Sequence, residues 1–191
     1  MEDKQKGMKK KVKYFLNAIY YCIWRNYIKL GGIVGKNIDK ILSPIPDYFF
    51  TKAYKKKYYE HLPNEKKKAN FFFQNKKNGY YIGLANSLFG YLYSGYPCFI
   101  SFVLVGFAIK KFNEYNHCLM VVLMAIPIGL AFIPAYISVF ANDRYLKYFK
   151  QFEKEGKEWH RKWNRRTIAF FLGSLLAEIL GVIAIFAINI L

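Results

Sequence analysis

Acidic residues are scarce in this chain of 191 residues: 12 Asp and Glu stand against 30 Lys and Arg, for a net charge of +18. Such a balance selects anionic partners, namely lipid headgroups, acidic proteins or nucleic acid. Cysteine is scarcer still, with Cys22, Cys98 and Cys118 in no pairing or zinc-ligand spacing, so neither a disulfide framework nor a structural metal site is expected. There is no HExxH, CxxC, GxSxG or phosphate-cradling glycine loop, and His61, His117 and His160 are far apart. Glu60-His61 is the one adjacent acid/base pair, and on a basic surface helix it reads as a solvated face. These absences favour a non-enzymatic function with no metal and no cofactor.

Long stretches also lack charge altogether. No charged residue lies between Asn78 and Ile109 or between Tyr115 and Asn142, and Glu178 alone interrupts Thr167–Leu191. A bilayer core needs about 20 apolar helical residues. The expected fold class is therefore an all-α, polytopic integral membrane protein with spans at about 84–109, 118–141 and 168–190, preceded by basic amphipathic helices. The expected organisation is a basic interfacial region over 1–78 and a transmembrane region over 79–191, the latter including a cytosolic hairpin at 142–166.

Charge placement sets the expected orientation. There are 19 basic residues against 6 acidic ones before the first span, 2 against 1 between the first and second, and 9 against 4 between the second and third. By the positive-inside rule the N-terminus and the 142–166 connector face the cytoplasm and the C-terminus faces outward, in a bacterial cytoplasmic membrane. A cleaved secretory signal is rejected, because Arg25 and Lys29 break the apolar run that begins with Tyr14–Trp24 and no small-residue cleavage site follows.

Apolar residues from Val12 to Leu30 recur at helical spacing among Lys13, Arg25 and Lys29, which predicts an in-plane amphipathic helix, with a re-entrant helix buried among the others as the alternative. Gly31-Gly32 and Gly35 are expected to break it, and Ser43–Pro46 to form an extended turn. A second helix is expected over Asp47–Leu62, stopped by Pro63, with Asn64 capping a third segment. Tyr80 and Tyr81 fit an interfacial aromatic belt. The 142–166 connector predicts a cytoplasmic extension of the second span, a turn near Gly156 and a helix running into the third span. Tyr145, Phe149 and Phe152 share a face of the first arm, and Trp159 and Trp163 a face of the second.

Small and polar residues line one stripe of each span: Gly83, Ser87, Gly90, Ser94, Pro97, Ser101 and Ala108; Pro127, Ala131, Pro134, Ser138 and Ala141; and Gly173, Ser174, Ala177, Glu178, Gly181 and Ala184. Such stripes let backbones approach where lipid gives no hydrophobic drive. They serve either packing within one chain or a homo-oligomer surrounding a pore. Glu178 is the one carboxylate deep in a span, at an insertion cost of about 2.5–3.5 kcal/mol, and lies on the small-residue face with Ser174 and Gly181. It reads as either a hydrogen-bonded packing residue or an ion or proton site. Pro127 and Pro134 are candidate kinks.

Trp159-His160-Arg161-Lys162-Trp163-Asn164-Arg165-Arg166 and Lys55-Lys56-Lys57 are candidate contacts to anionic lipid or to another anion. The leading function is a homo-oligomer that forms a pore or perturbs the membrane. The alternative is a membrane-anchored adaptor that recruits an acidic protein or nucleic acid; in layout alone it resembles accessory proteins of bacterial defence systems.

Overall fold

The computed structural model describes residues 2–112 and 117–190, and the side chains of 2–9, Pro46, Asp47 and Ala53 lie outside the description. Its described elements are α1 (Glu2–Leu42), α2 (Ile45–Phe49), α3 (Lys52–Gln74), α4 (Tyr80–Phe112), α5 (His117–Val139), a single 3-10 turn (Ala141–Asp143), α6 (Arg144–Phe152) and α7 (Lys157–Ile190). No strand occurs among the described residues. Three stretches, Tyr80–Phe112, His117–Phe152 and Lys157–Ile190, are long and apolar enough to cross a membrane. The chain divides into two compact units, one of 1–22 with 87–191 and one of 23–86.

Five local expectations give way, among them the single helix over 47–62, which is divided into α2, beginning at Ile45, and α3. Gly31-Gly32 and Gly35 do not end α1, which continues to Leu42. Glycine inside a helix costs only about 1 kcal/mol, and Gly31 leaves the notch into which the Tyr81 ring fits. Pro63 does not stop α3, which runs through it with Asn64 inside rather than at a cap. The strong helix formers Glu65–Ala69 that follow support continuation despite the missing N–H. The in-plane helix expected at Val12–Leu30 is instead buried on every face over Leu16–Cys22, since seven consecutive buried residues cover almost two turns. Finally, α5 does not extend straight into the connector. The chain breaks at Asn142 (φ 57°) and Asp143 (φ 52°), both left-handed. Asn and Asp are the non-glycine residues that tolerate this region best.

Within the first unit, α1 lies against the ends of the long helices through aromatic contacts. Tyr20 meets Phe89, Phe140, Tyr145 and Phe149 at centroid distances of 5.3–5.5 Å. The arms on either side of Gly156 meet through Phe152 stacked on Trp159 at 4.8 Å. Further along, α4, α5 and α7 share a core of Val105, Ala108 and Met120 with Leu123, Met124 and Ile185.

The second unit holds the end of α1, α2, α3 and the start of α4. Asn75 Oδ1 accepts the N–H groups of Lys77 (2.8 Å) and Asn78 (3.2 Å), which turns the chain out of α3. Gly79 follows because a Cβ there would lie 2.7 Å from the Asn75 nitrogen. Lys66 pairs with Asp39 at 2.8 Å, both exposed.

Candidate functional site: helix notches and an aromatic layer

Two of the long helices, α4 and α7, interlock through glycine notches. The Phe102 ring covers Gly181, the Tyr96 hydroxyl covers Gly173, and Ser174 and Glu178 cover Gly95. At Gly106 a Cβ would stand 3.1 Å from the Ile188 Cδ1 and 3.3 Å from the Ile185 Cα, so both side chain and backbone of α7 fill the notch. Polar groups close the same seam. Tyr96 OH donates to the Phe170 carbonyl at 2.8 Å, and Asn189 Nδ2 donates to the Gly106 carbonyl at 3.4 Å. Tyr91 OH donates to Glu178 Oε2 at 3.1 Å. The Ser174 hydroxyl, fully buried, has no hydrogen-bond partner among the described residues.

The small-residue candidates therefore separate. Ser174, Glu178 and Gly181 sit on the α4 seam. Ser101 donates to the Met124 carbonyl of α5 at 3.0 Å, and Gly90 approaches Phe132. Ser94 turns back to the Tyr91 carbonyl of its own helix at 2.8 Å, and Ser87 is exposed. Pro127 is half-buried, Pro134 is exposed, and α5 runs through both. Sequence spacing missed Gly95 and Gly106, which with Tyr91 and Phe102 form the line on α4 that meets α7. The legible signal was a second small-residue row offset from the first.

The basic run before the apolar part of α7 also separates. Trp163 is buried and Trp159 half-buried. Trp159 Nε1 donates to Tyr14 OH at 3.0 Å, and His160 stacks near Tyr21 at 6.0 Å. Arg161, Lys162, Arg165 and Arg166 remain exposed. Arg166 stacks on the Trp163 ring, its guanidinium carbon 4.6 Å from the centroid. Lys55 is half-buried in α3, with Lys56 and Lys57 exposed beside it.

Burial holds the Tyr20 phenol well above the usual tyrosine range, with Tyr145 adding to the effect. Among the described residues no group of three His, Cys, Asp or Glu side chains is placed to hold a metal ion. No family model, curated protein or solved structure matches this chain.

Proposed function

We propose that this chain is a membrane protein that crosses the bilayer three times with its N-terminus in the cytoplasm, and that it binds and perturbs the anionic cytosolic leaflet. The perturbation comes from shallow insertion of the 23–86 unit. One observation carries this reading: α1 beyond Arg25 leaves an apolar arc uncovered, with Leu30 and Ile33 each 58% and Ile41 71% exposed, and Val34 beside them. Lys29, Lys36 and Lys40 flank that arc, and α3 adds exposed Phe71 and Phe72 after Lys66-Lys67-Lys68. An apolar face bordered by lysines suits the headgroup boundary of an anionic bilayer, where each cation is worth about 1 kcal/mol. The glycine notches of α4 and α7 are filled from the same chain, so they need no second copy to close them.

Hydrogen exchange on the full chain in nanodiscs tests this. In phosphatidylglycerol-containing discs, amides of 28–42 and 66–77 should exchange at least tenfold more slowly than in phosphatidylcholine, and high salt should reverse the protection. Equal rates in both lipids overturn the reading. Displacement of the 23–86 unit by an acidic protein or nucleic acid would favour the adaptor instead.

One observation favours a second reading, homo-oligomeric assembly around a pore. The Tyr91–Glu178 bond lies at the outer edge of the α4–α7 seam, with Tyr91 52% exposed. A carboxylate facing hydrocarbon is costly, and a second copy would cover it. Native mass measurement in nanodiscs gives a defined multimer on this reading and a monomer otherwise.

A further inference from the structure

We infer a specific binding site for the phosphodiester of an anionic phospholipid between α1 and α7, in a cleft lined by Lys10, Lys11, Tyr14, Phe15, Trp163 and Arg166. The inference rests on the membrane reading above, but it concerns the other unit of the chain, and its own experiment can fail separately.

The cleft has a volume of about 490 Å³. Three of its six lining residues are cationic and none is acidic. Its floor is aromatic and fixed: Trp163 is 5% exposed and meets Tyr14 at 5.7 Å and Phe15 at 5.8 Å. Tyr14 is held in turn by the Trp159 indole N–H. Arg166 stacked on Trp163 is a pre-organised cation, since the indole face holds the guanidinium plane while its N–H groups stay available for phosphate oxygens. Lys10 and Lys11, both exposed, bring two further charges from the α1 wall.

Position selects lipid over free phosphate. Arg166 is the last charged residue before Glu178, and the uncharged stretch begins at Thr167. In a bilayer this is the level of the phosphates. One turn beyond Arg166 on the same side of α7, Phe170 meets Phe15 of the cleft at 6.1 Å and Ala169 beside it is exposed. They offer an apolar track for acyl chains whose headgroup sits among the cations. A free anion would use the charges and leave that track unexplained.

Native mass spectrometry of the full chain, purified from phosphatidylglycerol nanodiscs, reads the site directly. The expected result is retention of one phosphatidylglycerol per chain, at least tenfold above retention of phosphatidylcholine. Lys10→Gln/Lys11→Gln, two exposed positions whose replacement leaves the core intact, should lower retention at least tenfold, and Arg166→Gln should do the same. Lys147→Gln/Lys150→Gln, two exposed positions on α6, should leave it unchanged. Inorganic phosphate at millimolar concentration should not displace the lipid. Equal retention of both lipids, insensitivity to the Lys10/Lys11 variant, or displacement by inorganic phosphate or by an oligonucleotide would each overturn the inference.

Discussion

The side-chain amide of Asn17 donates to the backbone carbonyl of Ser138, 121 residues away, at 3.0 Å, and to the Lys13 carbonyl of its own helix at 2.8 Å. Ser138 lies in the last turn of α5, where carbonyls have no intrahelical donor. Arg144 serves the neighbouring one, donating Nη1 to the Ile137 carbonyl at 2.7 Å. A buried asparagine of α1 and an arginine beyond the left-handed break thus finish α5 together. This explains why a polar residue sits fully buried amid Leu16, Ala18, Ile19 and Tyr20.

Asn17→Ala removes that donor and leaves a buried carbonyl unsatisfied, at a cost of about 1–3 kcal/mol. The thermal midpoint of the detergent-solubilised protein should fall by several degrees. An unchanged midpoint would mean that water or another donor replaces the amide.

Glycine substitutions should divide by what fills each notch. Gly95→Leu and Gly181→Leu force Ser174 or Phe102 out of place, and overpacking of this kind costs about 1–3 kcal/mol or more. Gly83→Ala and Gly129→Ala meet nothing within 4 Å and should be neutral or slightly stabilising. Melting of the four variants side by side checks the division, and equal effects at all four would contradict the α4–α7 seam.

Trp159 supplies two separable contributions. Trp159→Phe keeps most of the stack on Phe152 and loses the bond to Tyr14, for about 0.5–1.5 kcal/mol. Trp159→Ala loses both and should cost about 3–5 kcal/mol. Similar costs for the two variants, measured by thermal unfolding, would mean that the hydrogen bond to α1, and not the stack that closes the hairpin, carries the contribution of Trp159.

Tyr20 predicts the alkaline limb of stability. Burial raises its folded pKa above the unfolded value of about 10. Stability from the neutral phenol is complete below that value and is lost as pH rises above it, because the unfolded chain releases the proton first. Tyr20→Phe should therefore flatten the decline in melting midpoint above about pH 10, and an unaltered decline would place the responsible group elsewhere.

The three long helices were legible because charge and apolarity segregate along the chain, and the hairpin because Tyr145, Phe149 and Phe152 share one helical face with Trp159 and Trp163 waiting on the other arm. The role of α1 was not legible. Its spacing fits a helix with one wet face and equally one buried among the others, and the choice lies in tertiary contacts: Phe89, Phe140, Tyr145 and Phe149 around Tyr20, and Phe149, Phe152 and Trp159 around Tyr21. Gly31 and Pro63 misled for a related reason. Each is a local breaker whose penalty of about 1–3 kcal/mol a ring in the Gly31 notch, or strong helix formers beyond Pro63, can offset. On α4 a periodic row drew attention to Ser87 and Ser94, while the residues meeting α7 were Gly95 and Gly106 on an adjacent row.

Sidedness tests the account most directly. With Cys22 and Cys98 replaced by alanine, the exposed Cys118 at the start of α5 and a Lys57→Cys substitution in α3 report on the two faces of the membrane. In sealed right-side-out vesicles a membrane-impermeant maleimide should label Cys118 at once and position 57 only after permeabilisation. Labelling of both positions in intact vesicles, or protection of Cys118, would contradict three crossings with the basic helices inside.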